Sequence, residues 1–172
     1  MSGGLGLTFN YAIWSPVGDR LAVTTGMVGR TAGFLELSPE GASMTDLTVD
    51  PPGEMTLNVT GWSPDGSKLV ADLMSETGNR SNGAIMIDPR TGESRHVSDF
   101  GANHTWLPDS RHVIASTQDE IWVFDTASGE QWRVLSIFPD RMVEYMSPLR
   151  DAPGAVYSAR RQQDDLWLAE WQ

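Results

Sequence analysis

A ten-residue string that recurs at long intervals constrains this chain more than any other feature. Trp62-Ser63-Pro64-Asp65-Gly66-Ser67-Lys68-Leu69-Val70-Ala71 is the cleanest copy. Trp14-Ser15-Pro16-Val17-Gly18-Asp19-Arg20-Leu21-Ala22-Val23 is a second, and Trp106-Leu107-Pro108-Asp109-Ser110-Arg111-His112-Val113-Ile114-Ala115 a third. A degenerate fourth begins at Met146-Ser147-Pro148 and resumes at Ala155-Val156-Tyr157-Ser158-Ala159. The anchors at 14, 62, 106 and 146 are 48, 44 and 40 residues apart.

Each copy opens a set of short strands. β-Branched and aromatic residues bounded by Gly, Pro and Asp place them at 9–14, 19–25, 33–38 and 43–49 in the first repeat. The second repeat gives 55–62, 68–74, 83–88 and 93–98, and the third 103–106, 111–116, 120–125 and 131–136. The fourth offers three, at 142–147, 154–160 and 165–171. A second turn recurs in the same order: Ser38-Pro-Glu-Gly-Ala-Ser43, Asp88-Pro-Arg-Thr-Gly-Glu93 and Asp125-Thr-Ala-Ser-Gly-Glu130 join third to fourth strands. Four short antiparallel strands per repeat, at this period, predict an all-β fold: a β-propeller of about four blades. The chain then forms a single propeller domain, 1–172, with blades at about 9–49, 55–98, 102–136 and 142–171.

The turn string has a physical logic. Pro presets φ at the second turn position, Asp suits the third and Gly accepts positive φ. Trp14, Trp62 and Trp106 close first strands, while Trp122 and Trp167 fall in third strands. At this spacing they read as packing between neighbouring sheets, where a Trp buries a large area, rather than as an aromatic ligand platform.

The Trp-Ser-Pro-Asp-Gly turn followed by a short apolar strand resembles the WD-repeat-like units of TolB-type propellers. The likeness is strongest at Trp62–Ala71 and weakest at Met146. Val17 stands where the pattern has Asp, Ser110 where it has Gly, and 149–153 are inserted into the fourth turn. The resemblance implies a propeller with a binding role and names no catalytic residue, because the motif is a turn device.

Three closures are open to such a chain. The stretch 4–9 (Gly-Leu-Gly-Leu-Thr-Phe) could complete the last blade and close a four-bladed ring, which removes two exposed sheet edges. It could instead belong to a preceding blade of a larger ring. Or two half-rings could assemble, giving a homodimer if one chain does not close the ring.

Composition excludes several function classes. There is no cysteine, so disulfides and thiolate metal sites are ruled out. A formal charge of −11 argues against nucleic-acid binding, which needs a basic footprint. No apolar run approaches the ~18 residues of a membrane span. The N-terminus lacks signal-peptide character, so the chain as written is expected in the cytoplasm, or in the periplasm or outside the cell if that end is incomplete. Nucleophile-elbow, P-loop, zincin and dinucleotide motifs are missing, and no cofactor or metal is expected.

Candidate site residues are few. His104, on a first strand, would border the channel of a propeller, and Glu144 holds the same place relative to Met146. As a metal ligand or general base, His104 would need Glu144 or Asn103 as a partner; a satisfied, wedged polar residue is the competing reading. The acidic pairs Asp119-Glu120 and Asp164-Asp165 precede third strands and read as charged loop tips. Loops from second to third strands and loops between blades share one face. Arg30, Arg80, Arg141, Arg160 and Arg161 gather there, and arginine forks suit carboxylates. Asp50, Glu54, Glu76, Asp99 and Asp140 share those loops and dilute the signal. The expected function is a non-catalytic binding or scaffold module for a protein or peptide partner. The alternatives are the substrate-gating propeller piece of a prolyl-oligopeptidase-like peptidase and a channel-site lyase or hydrolase.

Overall fold

The computed structural model describes residues 9–18, 20–25, 31–49, 51–75, 81–117, 119–136, 141–149 and 155–161. The strands are β1 (Phe9–Trp14), β2 (Arg20–Thr25), β3 (Thr31–Ser38) and β4 (Gly41–Leu47), then β5 (Thr56–Trp62), β6 (Leu69–Met74), β7 (Ser81–Ile87) and β8 (Ser94–Ser98). They continue with β9 (Ala102–Trp106), β10 (His112–Ser116), β11 (Glu120–Asp125) and β12 (Gln131–Ser136), ending with β13 (Arg141–Pro148) and β14 (Ala155–Arg161). Three four-stranded antiparallel meanders follow, β1 to β4, β5 to β8 and β9 to β12, and β13 pairs with β14. The strands expected at 4–8 and 165–171 lie outside the described residues. No helix among the described residues is long and apolar enough to cross a membrane.

The turn string does the same work in each copy. The residue after the anchor closes the hairpin onto the carbonyl five residues on: Ser15 N to Arg20 O (3.0 Å), Ser63 N to Lys68 O (2.8 Å) and Leu107 N to His112 O (2.8 Å). In the second copy the Asp65 carboxylate accepts from the Ser63 hydroxyl (2.6 Å) and the Ser67 amide (3.0 Å). The third-to-fourth turns are built alike, with Asp88 N on Glu93 O (2.9 Å) and Asp125 N on Glu130 O (2.8 Å).

Two of the three departures from the turn pattern mark contacts between turns. A Cβ on Gly66, whose φ is +71°, would lie 2.3 Å from Cγ2 of Val17. Ser110 Oγ accepts the Asp65 amide at 3.1 Å. Side chains that broke the motif therefore fit each turn to its neighbour.

The core forms slabs between sheets. The first holds Ala22, Phe34 and Leu47 of one sheet against Leu57, Trp62, Leu69 and Ile87 of the next. The second holds Val70 and Ala84 against Trp106 and Val113, and a thinner third holds Ile121 against Val143. Burying a tryptophan removes roughly 200 Å² from water, worth about 5 kcal/mol before entropy costs. Trp62 and Trp106 are 7% and 3% exposed, whereas Trp14, with no earlier sheet among the described residues to pack on, is 54% exposed. First strands succeed one another, β5 on β1, β9 on β5 and β13 on β9. Among the described residues β13 and β1 share no packing of comparable extent.

The turn carboxylates couple this fold to pH. The Arg111 guanidinium, at 3.0 and 2.5 Å, holds Asp125 far below the usual carboxylate range despite its burial, with the Ala127 and Ser128 amides adding to it. The Ser63 hydroxyl and then the Ser67 amide lower Asp65, and Arg133 and then the Trp122 indole lower Glu120. A depressed carboxylate stabilises the fold above its unfolded pKa, about 4 for these groups, and that contribution fades as pH falls through the folded values. Melting temperature should hold steady from neutrality to about pH 5 and fall below about pH 4. Asp125→Asn should remove part of that acid slope. A melting temperature that rises on acidification would contradict the assignment.

Candidate functional site

The chemically richest constellation is a buried one between the second and third sheets. β6 is apolar except for Asp72, which is 4% exposed. Across the interface β9 carries His104, fully buried. Its Nδ1 lies 2.6 Å from Asp72 Oδ1, and its Nε2 lies 2.8 Å from Oγ of Ser98, the last residue of β8. Asp72 also accepts the backbone amides of Asn103 (3.0 Å) and His104 (3.3 Å). Ser98 Oγ reaches the Phe100 carbonyl at 3.1 Å, and the imidazole sits 5.8 Å from the Phe124 ring.

Local backbone features set this geometry. The β9–β10 ladder shifts register between Ile114 and Ser116, and Asn103 takes a left-handed φ of +56°. The extra residue turns His104 inward while the Asn103 amide meets Asp72. Gly83 on β7 has φ +100°, and a Cβ there would lie 1.9 Å from the Ser98 carbonyl oxygen. Any other residue at 83 would displace Ser98 and, through it, the imidazole.

The order Asp–His–Ser is that of a nucleophile relay, but its surroundings are not. Ser98 is 2% exposed, and its hydroxyl already sits between the imidazole and a carbonyl. A relay needs a substrate carbon beside the hydroxyl, and in this packing no substrate atom can approach. What the arrangement does is fasten two sheets. The same fastening, in simpler form, joins the first and second: Thr24 Oγ1 accepts the Val59 amide at 3.0 Å. Thr24 and Asp72 each stand ten residues after their anchors, and Val59 and Asn103 three before theirs.

The sequence-derived candidates are dispersed. His104 has Asp72 and Ser98 as partners, and Asn103 meets the same Asp72 through its backbone amide. Glu144 lies in β13 at a register shift between Val143 and Tyr145. Arg30 and Arg80 lie outside the described residues, as do Asp164 and Asp165. Arg141, Arg160 and Arg161, expected on loops, are strand residues, because the β13–β14 ladder runs on through them. Arg141 pairs with Arg161, and Met142 with Arg160. Glu120 is engaged by the Trp122 indole (2.9 Å) and Arg133 (2.5 Å). Among the described residues, no group of three or more His, Cys, Asp or Glu is placed to hold a metal ion.

Solved structures share this architecture. The chain superimposes on a protein assigned as TolB from Agrobacterium tumefaciens with a TM-score of 0.71 at 16% identity, covering 90% of this chain and 55% of that one. The fold is that of a β-propeller. An oligogalacturonate lyase in complex with manganese follows with a TM-score of 0.58 at 15% identity, over 91% of this chain and 49% of that one. The Myceliophteria thermophila Cps50 (Swd1) β-propeller domain has a TM-score of 0.58 at 17% identity, over 86% and 48%. The chain thus spans about half the length of these propellers. No family model and no curated protein sequence matches it.

Removing one partner of a buried hydrogen-bonded pair leaves the other unsatisfied, at a cost of about 1–3 kcal/mol. His104→Ala and Asp72→Ala should each lower the unfolding free energy, measured by urea titration, by an amount of that order, and the double variant by less than the sum. Additive losses would mean that the two side chains do not act as a pair.

Proposed function

We infer that this chain is a non-catalytic binding module, a rigid run of propeller blades that offers one end of its strands to a protein or peptide partner. One observation carries the reading: two consecutive cross-strand pairs at the end of β13 and β14 hold Arg141, Arg160 and Arg161, in a chain of net charge −11. Three arginines at one end of a two-stranded ladder are a local concentration of positive charge and favour an anionic partner. Arginine recognises carboxylates through paired hydrogen bonds, so aspartate and glutamate side chains are the natural complement. The buried Asp72, His104 and Ser98 serve packing, which leaves them no part in chemistry on a bound partner.

The TolB-type reading of the repeat belongs here too. Its support is that the turn residues of the motif make the same hairpin-closing bond in three copies. Binding is read as the role of the module, and the arginine-bearing end as the surface that performs it.

A labelled hexaglutamate peptide, followed by fluorescence anisotropy, tests the proposal. Wild-type chain should bind it with an affinity that falls as salt rises. Replacing Arg141, Arg160 and Arg161 together by Gln should weaken binding roughly tenfold or more, the scale of lost charge-assisted hydrogen bonds. Equal affinity for the two chains would remove the arginine end from the interface.

A further inference from the structure

The repeat places one groove twice, and only the first copy is occupied. On each sheet the groove lies toward the outer strands, on the face turned to the following sheet. In the first sheet it is formed by Arg20, Phe34 and Thr45; the register Ala22–Phe34–Thr45 matches Val70–Met86–Arg95 in the second. Lys68, Met86 and Arg95 therefore take the places of Arg20, Phe34 and Thr45. In the first copy the turn Pro89–Gly92 of the second sheet docks into the groove and narrows it to about 360 Å³. Pro89 is buried there, and Gly92 approaches so closely that a Cβ on it would lie 2.4 Å from the Thr48 carbonyl oxygen. In the second copy no such turn arrives. About 660 Å³ stands open over Met86.

One residue accounts for the difference. The third sheet's turn has Thr126 where the second has Pro89. Proline has no amide hydrogen. Thr126 has both an amide and a hydroxyl, and both donate to the Arg111 carbonyl, at 3.1 and 2.7 Å. Arg111 also grips the Asp125 carboxylate. The turn is tied to its own sheet, and a Cβ on its Gly129 would meet nothing within 4 Å.

The open groove has its own charge. Lys68, Arg90 and Arg95 line it together with Asp88 and Glu93. Asp88 is taken by Arg90, through the amide at 2.8 Å and the guanidinium at 3.3 Å. Lys68 Nζ lies 6.0 Å from the Trp106 ring, with Asp65 as its neighbouring carboxylate. The Arg95 guanidinium makes no hydrogen bond or ion pair among the described residues, and it lines the groove with Lys68, Glu93 and Met86.

We propose that this groove, over Met86 and between Lys68 and Arg95, is a docking site for an acidic turn of a peptide partner. The occupant's shape follows from the first copy, where a Pro-containing tight turn docks against the equivalent surface. Its charge follows from Lys68 and Arg95. The site stands on the outer rim of the second sheet and is separate from the arginine end of β13 and β14.

A labelled hexapeptide, Asp-Pro-Glu-Thr-Gly-Glu, is the probe: the chain's own Asp88–Glu93 turn with glutamate replacing arginine. Anisotropy titration of the full chain should show binding that weakens about tenfold in Lys68→Gln/Arg95→Gln. It should persist in the chain lacking Arg141, Arg160 and Arg161. The Met86 methyl resonance should shift on binding, a readout that needs no variant. No binding to wild type, undiminished binding to the Lys68/Arg95 variant, or a Met86 methyl that does not move would each overturn the proposal. Binding lost only with Arg141, Arg160 and Arg161 would overturn it while sustaining the arginine end as an interface.

Discussion

The structure depends on one constraint met twice: a polar side chain near the end of β2 and of β6 satisfies a buried backbone amide in the next sheet. First-strand irregularities lie beside these amides, and a buried amide without an acceptor costs about 1–3 kcal/mol. Thr24 meets the need with a hydroxyl, and Asp72 with a carboxylate. The second solution brings a carboxyl group into the interface, where His104 bonds it and Ser98 bonds the imidazole in turn. The relay-like triad joins two sheets. Its burial, more than its geometry, says what it is for.

The two fastened interfaces differ in kind. Between the first and second sheets the apolar slab is thick and the single hydroxyl suffices. Between the second and third the slab is smaller, and the hydrogen-bonded network of Asp72, His104 and Ser98 stands beside it. Tryptophan serves both: Trp62 packs on Phe34 with its indole donating to the Ile13 carbonyl at 3.1 Å, and Trp106 packs on Val70 and Ala84. Arg20 and Lys68 cap those rings from the sheet before.

Much of this was legible in the sequence because it is local. The Trp-Ser-Pro-Asp-Gly string and the Asp-x-x-x-Gly-Glu turns declare hairpins through residues a few positions apart, and those hairpins stand where expected. Val17 and Ser110, read as blemishes in the pattern, proved to be contacts between turns. The buried lock was harder to see. Asp72, Ser98 and His104 meet only once two sheets have packed, and the one clue was a lone acid inside the apolar run Leu69–Met74. The arginines were placed a residue or two into loops, since nothing local shows that a ladder continues through Arg141 and Arg161.

Among the described residues, each sheet packs chiefly on the one before and the one after. The molecule is, in energetic terms, a short one-dimensional chain of nearest-neighbour couplings. A perturbation in such a system is not shared among all parts, as it would be around a single central core. A side chain added at Gly83 disturbs the junction of the second and third sheets and leaves the first junction as it was. The damage divides the molecule at one seam, and the pieces on either side keep the order they had.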